Sequence, residues 1–155
     1  PLGVLEILKR YEVETAGKQV VVLGRSNLVG RPLSILLSQK GWDATVTICH
    51  SRTRDLASHV QRADIVIAAI GQPNFVTVEM LKKNAVVIDV GINRLPSSVS
   101  NKKGKLCGDV DFEAVFDKTS IITPVPGGVG PMTIAMLMRN TVLAARLQNS
   151  IQPIE

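Results

Sequence analysis

The apolar residues of this chain cluster in short runs separated by stretches of mixed polarity. The runs are Gln19–Leu23 (QVVVL), Thr45–Cys49 (TVTIC), Ile65–Ile70 (IVIAAI), Ala85–Val90 (AVVIDV) and Ser120–Thr123 (SIIT). Runs of this length, rich in β-branched residues and stopped by Gly or polar turns, predict strands, and the unbroken run Gln19–Leu23 one covered on both faces. Between them the spacing predicts helices. Val4 to Tyr11 places Leu5, Leu8 and Tyr11 on one side. Arg31 to Lys40 carries Pro32 in its first turn and is followed by Gly41 as a stop. Asp55 to Gln61 predicts a short helix. Thr77 is placed to cap a helix running towards Lys82, and Asp111 to cap one through Phe116. The last helix is expected from Thr133 to about Leu147. Pro96 to Lys105 reads as a polar loop, and no internal repeat is evident.

Five strands alternating with helices predict an α/β fold, an open parallel sheet with helices on both faces. One domain is expected over residues 1–150, with a frayed tail at 151–155. In such sheets ligands bind beyond the carboxyl ends of the strands. The segments to watch are therefore Gly24-Arg25-Ser26, His50-Ser51-Arg52, Gly71-Gln72-Pro73, Gly91-Ile92-Asn93 and Pro124 to Pro131.

Composition narrows the choice. The 155 residues suit one domain. With 45% hydrophobic and 20% charged residues, a disordered polyelectrolyte is excluded. Three Phe, one Tyr and one Trp leave the core to aliphatic side chains and offer no base-stacking platform. The net charge of +5 is mild and dispersed, and Lys102-Lys103-Gly104-Lys105 reads as a solvated loop. No nucleic-acid partner is expected; a small polyanion suits the excess better. Cys49 and Cys107 form no CxxC pair, which suits a reducing compartment. No apolar run reaches membrane-spanning length, so no membrane partner is expected. The expected location is the cytoplasm, with the mitochondrion left open.

The first strand exit, Gly24-Arg25-Ser26-Asn27-Leu28-Val29-Gly30, lies where a dinucleotide phosphate turn belongs. It is not G-x-G-x-x-G: Ser26 holds the second glycine position, and Gly30 comes one residue late. A bend that merely needs Gly24 remains an alternative. The second exit, His50-Ser51-Arg52-Thr53, lacks the acidic residue that bonds the ribose of NAD. Ser51 and Arg52, with Arg25, suit the 2′-phosphate of NADP instead; Arg52 and Arg54 as solvated loop residues are the other reading. Two charge-assisted bonds would favour NADP by at least about a hundredfold.

The most distinctive segment is Thr123-Pro124-Val125-Pro126-Gly127-Gly128-Val129-Gly130-Pro131-Met132-Thr133. Its glycines allow a flat ring, such as nicotinamide or a pterin, to lie against the backbone. Asp89 ends a buried strand and is placed to orient a backbone loop. Asp109 and Asp111 flank one residue as metal ligands do, yet capping suits Asp111 better. His50 reads as a rim residue, His59 as a surface helix residue, and Cys49 as core. No metal site and no nucleophile–base pair is expected.

Together these segments resemble the nucleotide-binding half of the methylenetetrahydrofolate dehydrogenase/cyclohydrolase family, the bifunctional FolD proteins. The resemblance rests on Pro1-Leu2-Gly3, Val22 to Pro32, Ala44 to Thr53, Ala63 to Pro73, Val87 to Arg94, Gly108 to Phe112 and Ile122 to Thr141. It implies a Rossmann-type domain that binds NADP. By position it assigns Gly24, Arg25 and Ser26 to the phosphate turn and Ser51 with Arg52 to the 2′-phosphate. Ile92 and Thr133 fall to the cofactor, and Pro126, Gly127 and Gly128 to the folate side. The implied chemistry is oxidation of 5,10-methylene-tetrahydrofolate to the 5,10-methenyl form, then hydrolysis to 10-formyl-tetrahydrofolate. Tetrahydrofolate derivatives are the implied partners, purine biosynthesis the implied context, and a homodimer the implied assembly.

The family's other half carries a Tyr-x-x-x-Lys motif, whereas Tyr11 here is followed four residues later by Thr15. Pro1 falls inside the family's inter-domain segment. The resemblance therefore implies the C-terminal half of a longer protein, with no catalytic residue of its own. Such a chain should bind NADP with little or no turnover. A non-catalytic NADP sensor remains the alternative; a shikimate-type dehydrogenase domain fits the Pro124 to Pro131 loop less well.

Overall fold

The computed structural model describes residues 1–96 and 104–149. The expected tail at 151–155, and most of the expected loop from Pro96 to Lys105, lie outside the described residues. The elements follow in chain order as α1 (Leu2–Arg10), β1 (Gln19–Leu23), α2 (Gly30–Ser38), β2 (Thr45–Cys49), α3 (Leu56–Arg62), β3 (Ile65–Ala68) and β4 (Val86–Asp89). They continue as β5 (Asn93–Arg94), β6 (Leu106–Cys107), α4 (Phe112–Val115), β7 (Ile121–Ile122) and α5 (Val129–Gln148).

Five strands form one all-parallel sheet in the order β2-β1-β3-β4-β7. Strand residues alternate between two cores, one on each face. Val20, Val22, Ile65, Ile67 and Ile88 pack against Val4, Leu8, Leu33 and Leu37 of α1 and α2. Val21, Leu23, Val66, Ala68 and Val87 pack on the other face with Val60 of α3 and Val115 of α4. Burial on both faces is why the runs of β1, β3 and β4 lack polar alternation, whereas the edge strand β2, TVTIC, is largely open and alternates. The open parallel α/β fold is thus as expected.

Several element limits differ from the sequence pattern. Thr77 caps only a single 3-10 turn, Val78–Met80, and makes no side-chain capping bond. Leu81 beyond it is extended and buried, so core packing ends the turn. Helix α2 ends at Ser38 because Gln39 is already extended, two residues before Gly41. Helix α5 begins at Val129, four residues ahead of Thr133, which draws Gly130 and Pro131 into its first turn. Proline is tolerated there because the first-turn N–H groups have no helical partner to lose. The antiparallel ribbon of β5 and β6 was not expected. Asp111 does cap α4, accepting from the Ala114 N–H at 3.4 Å.

Candidate nucleotide site

The ladder runs one residue past the strands, which fixes the loops at the carboxyl edge. Gly24 N donates to the Cys49 carbonyl at 2.8 Å, and Ala69 N to the Leu23 carbonyl at 2.8 Å. Val90 N donates to the Ala68 carbonyl at 2.8 Å. From β1 the chain crosses to β2 on one side, then returns past β1 to β3 on the other. That reversal leaves a crevice beyond β1 and β3.

A cavity of about 640 Å³ occupies the crevice. Gly24, Arg25, Ser26, His50, Ser51 and Gln72 supply its rim; Leu23, Cys49, Ile70 and Phe75 its apolar wall. Among the described residues no Asp or Glu lines it. Gly24 has φ +110°, and a Cβ there would overlap the Ala69 carbonyl. The turn is held locally. Ser26 Oγ accepts from the Val29 N–H at 3.1 Å and the Gly30 N–H at 3.4 Å, and the Ser26 carbonyl accepts from Arg31 N at 3.1 Å. Among the described residues, the N–H groups of Arg25, Ser26 and Asn27 have no protein acceptor. Unpartnered N–H groups before a helix are donors suited to an anion.

The β2 exit is a tight turn. Thr53 N donates to the His50 carbonyl at 2.8 Å, and His50 N to Thr53 Oγ1 at 2.9 Å. His50 Nδ1 accepts from the Arg52 N–H at 3.1 Å, so that nitrogen shapes the loop. Burial pushes the Cys49 thiol above its usual range, partly offset by the Thr53 hydroxyl. A buried, protonated thiol is inert.

A second cavity of about 470 Å³ lies at the exits of β4 and β7. Ile92, Pro126, Gly127, Gly128 and Ile134 line it. Gly127 has φ +106°, and the Val125–Pro126 peptide bond is cis. A Cβ on Gly128 would stand 2.5 Å from the Pro124 carbonyl oxygen.

The sequence-selected residues therefore fall into groups. Gly24, Arg25, Ser26 and Ser51 share the first cavity; Ile92, Pro126, Gly127 and Gly128 share the second. Arg52 is exposed beside Ser51 but is not among the lining residues. Thr133 lines neither cavity, and its hydroxyl donates to the Val129 carbonyl at 3.2 Å. Among the described residues no group of His, Cys, Asp and Glu is arranged to hold a metal ion.

The pattern did not disclose a pair of buried carboxylates at the second cavity: Asp89 in its wall and Asp109 behind it. Asp89 Oδ1 accepts from Gly91 N at 2.9 Å and Asp109 N at 3.0 Å; its Oδ2 accepts from Val110 N at 2.9 Å. Asp109 Oδ2 accepts from Ile70 N at 2.7 Å and Gly71 N at 2.9 Å, and its Oδ1 from Asn93 Nδ2 at 2.8 Å. Burial raises the Asp89 carboxyl above the ordinary range; the three N–H bonds partly oppose this, and the Asp109 carboxylate adds to it. The Asp89 part was legible as a loop-orienting role. The Asp109 part was not, because its donors lie 38 and 39 residues away.

An all-parallel sheet with a glycine turn at its switch point and an acid-free crevice defines a nucleotide-binding domain of the doubly wound α/β class. Within that class the chain belongs to the tetrahydrofolate dehydrogenase/cyclohydrolase family, whose NAD(P)-binding domain it matches over residues 1–149. It is 61% identical over 148 residues to the bifunctional protein FolD of Bacteroides thetaiotaomicron, covering 94% of this chain and 50% of that protein. The crystal structure of FolD from Campylobacter jejuni superimposes with a TM-score of 0.89 at 51% identity, covering 96% of this chain and 50% of the other. A Trypanosoma brucei methylenetetrahydrofolate dehydrogenase-cyclohydrolase, complexed with NADP cofactor and inhibitor, gives 0.86 at 42% identity, covering 97% and 50%. The chain spans about half the length of the curated relatives it matches.

Proposed function

We propose that residues 1–150 form the NADP-binding half of a bifunctional methylenetetrahydrofolate dehydrogenase/cyclohydrolase. The observation that carries this is the first cavity: guanidinium, hydroxyl and free N–H donors in the turn that leads into α2, with no carboxylate among the described lining residues to repel a phosphate. A pocket that selected NAD would present an acid to the ribose. Gly24, Arg25 and Ser26 would hold the pyrophosphate, and Arg25 and Ser51 the 2′-phosphate, with Arg52 closing over it from the rim. Ile92 would support the nicotinamide, and Thr133 is assigned to the same end by family position. Bound there, NADP supplies a hydride acceptor for 5,10-methylene-tetrahydrofolate.

Pro126, Gly127 and Gly128 would face the folate, where glycine lets a flat ring approach the backbone. The row Ile134, Leu137, Met138, Val142 is exposed on α5, and Ile134 also lines the second cavity. A folate-bearing half lying on that row would close the cavity against water. The methenyl product is then hydrolysed to the 10-formyl compound, as in the family. A homodimer, a cytoplasmic site and a role in purine synthesis belong to the same reading. Among the described residues no helix is long and apolar enough to cross a membrane.

Titration of the 155-residue chain with NADPH and NADH tests the proposal. The expected result is saturable binding with NADPH preferred and, in a separate assay supplied with NADP+, negligible oxidation of methylene-tetrahydrofolate. Absence of binding to folded protein, or preference for NADH, overturns it.

A further inference from the structure

Two buried carboxylates, Asp89 in the wall of the second cavity and Asp109 behind both, have no part in the functional reading above. Asp109 is fully buried and Asp89 is 3% exposed. Burying a carboxylate is costly unless donors surround it. Here the donors come from segments that must keep a fixed spacing. One Asp109 oxygen takes the N–H groups of Ile70 and Gly71, at the β3 exit that walls the first cavity. The other takes the Asn93 side chain, next to Ile92 of the second. Asp89 ties the Asp109 N–H to the Gly91 N–H through a shared oxygen. Asp89 N in turn donates to Thr123 Oγ1 at 2.8 Å, at the entry to the Pro124–Gly128 loop.

Steric fit makes the arrangement specific. A Cβ on Gly91 would overlap the Asp109 carboxylate, and one on Gly108 the Asp89 carboxylate. The two glycines thus leave room for the two acids, so the backbone and the carboxylates are fitted to each other.

We propose that Asp109 is a positioning residue that sets the spacing between the two halves of the dinucleotide crevice, clamping the β3 exit with one carboxylate oxygen and the β4 exit with the other. It touches neither ligand nor reacting atoms. Its effect is felt by a ligand that spans both cavities and not by one confined to the first. The inference rests on the NADP reading above.

The test compares NADPH with 2′,5′-ADP, which fills only the first half, by calorimetry on the 155-residue chain and its Asp109→Asn variant. An Asn retains an acceptor for one side and turns an amide NH₂ towards donors on the other. NADPH affinity should fall by about ten- to a hundredfold, while 2′,5′-ADP stays within about twofold. Amide exchange at Ile70 and Gly71 should quicken. Asn93→Ala, which removes only the β4-side partner, should give the same split to a smaller degree and serves if Asp109→Asn does not fold.

Equal loss for both ligands makes Asp109 a general structural residue and overturns the inference. So does undiminished NADPH affinity in the variants. Failure of the unsubstituted chain to bind NADPH overturns the functional reading itself, a result distinct from either.

Discussion

Gly30, the first residue of α2, sits against the carbonyl of Gly24, so closely that a Cβ on Gly30 would overlap that oxygen. The third glycine of a dinucleotide fingerprint lets helix and strand approach in this way. Gly30 does the same from a position one residue later, because Ser26 replaces the second glycine and caps the turn with its hydroxyl. The obstacle is backbone, which cannot swing aside. Gly30→Ala should therefore cost about 1–3 kcal/mol of stability. Gly24→Ala should cost more, since its positive φ adds strain to the collision with Ala69. Urea unfolding midpoints check both.

Arg25 and Arg52 should separate in their effects on cofactor choice. Arg25 lines the first cavity and Arg52 does not. Arg25→Ala is expected to weaken NADPH by about tenfold or more and NADH by less, because NADH shares the pyrophosphate contact and lacks only the 2′-phosphate one. For Arg52→Ala the expected loss is about threefold or less, as for an exposed charge. Parallel titrations with the two cofactors read this directly.

Asp89 should leave a mark on the pH dependence of stability. Its folded-state pKa is raised by burial, so its contribution is full below the unfolded value of about 3.9. That contribution is lost as pH rises through the raised folded value, because the native state there holds the proton more tightly. The stability advantage of the unsubstituted chain over Asp89→Asn should shrink over this interval. Denaturant titrations at stepped pH measure it; an advantage that grows instead would contradict the burial argument.

Asp64 should show the opposite sign. Its carboxylate accepts from Lys82 and from the Gln19 N–H at 2.9 Å, and both hold it below the usual range. Its contribution is present above the unfolded pKa and lost as pH falls through the lowered value. The pair is partly exposed, so Lys82→Ala should cost about 1 kcal/mol or less. The loss should vanish in acid.

Helix α5 separates folding from docking. Leu137 and Met138 are 64% and 61% exposed, so Leu137→Gln and Met138→Gln should each change stability by about 0.5 kcal/mol or less. Leu33 of α2 is fully buried, and Leu33→Ala should cost about 2–5 kcal/mol. Thermal unfolding of the three variants checks the contrast.

Local composition by itself determined the strands of the parallel sheet, though not the ribbon of β5 and β6. Val20 to Leu23, Ile65 to Ala68 and Val86 to Asp89 are buried on both faces, and burial of that kind must appear as an unbroken apolar run. The parallel sheet and its ligand-bearing edge follow from those runs together with the helices between them. The acid-free exit at Ser51 and Arg52 and the glycine-rich loop before α5 were equally plain, because each acts through neighbours in the chain. Thr77 was misleading, since a capping residue signals where a helix begins and not whether the core lets it continue.

Only the tertiary structure decided the division into two cavities and the clamp between them. Ile70 and Gly71 reach Asp109 across 39 and 38 residues, and Thr123 reaches Asp89 across 34. A carboxylate's partners are chosen by which loops the sheet order brings to one edge. That proximity depends on the whole packed chain and leaves no periodic trace in the residues on either side of it.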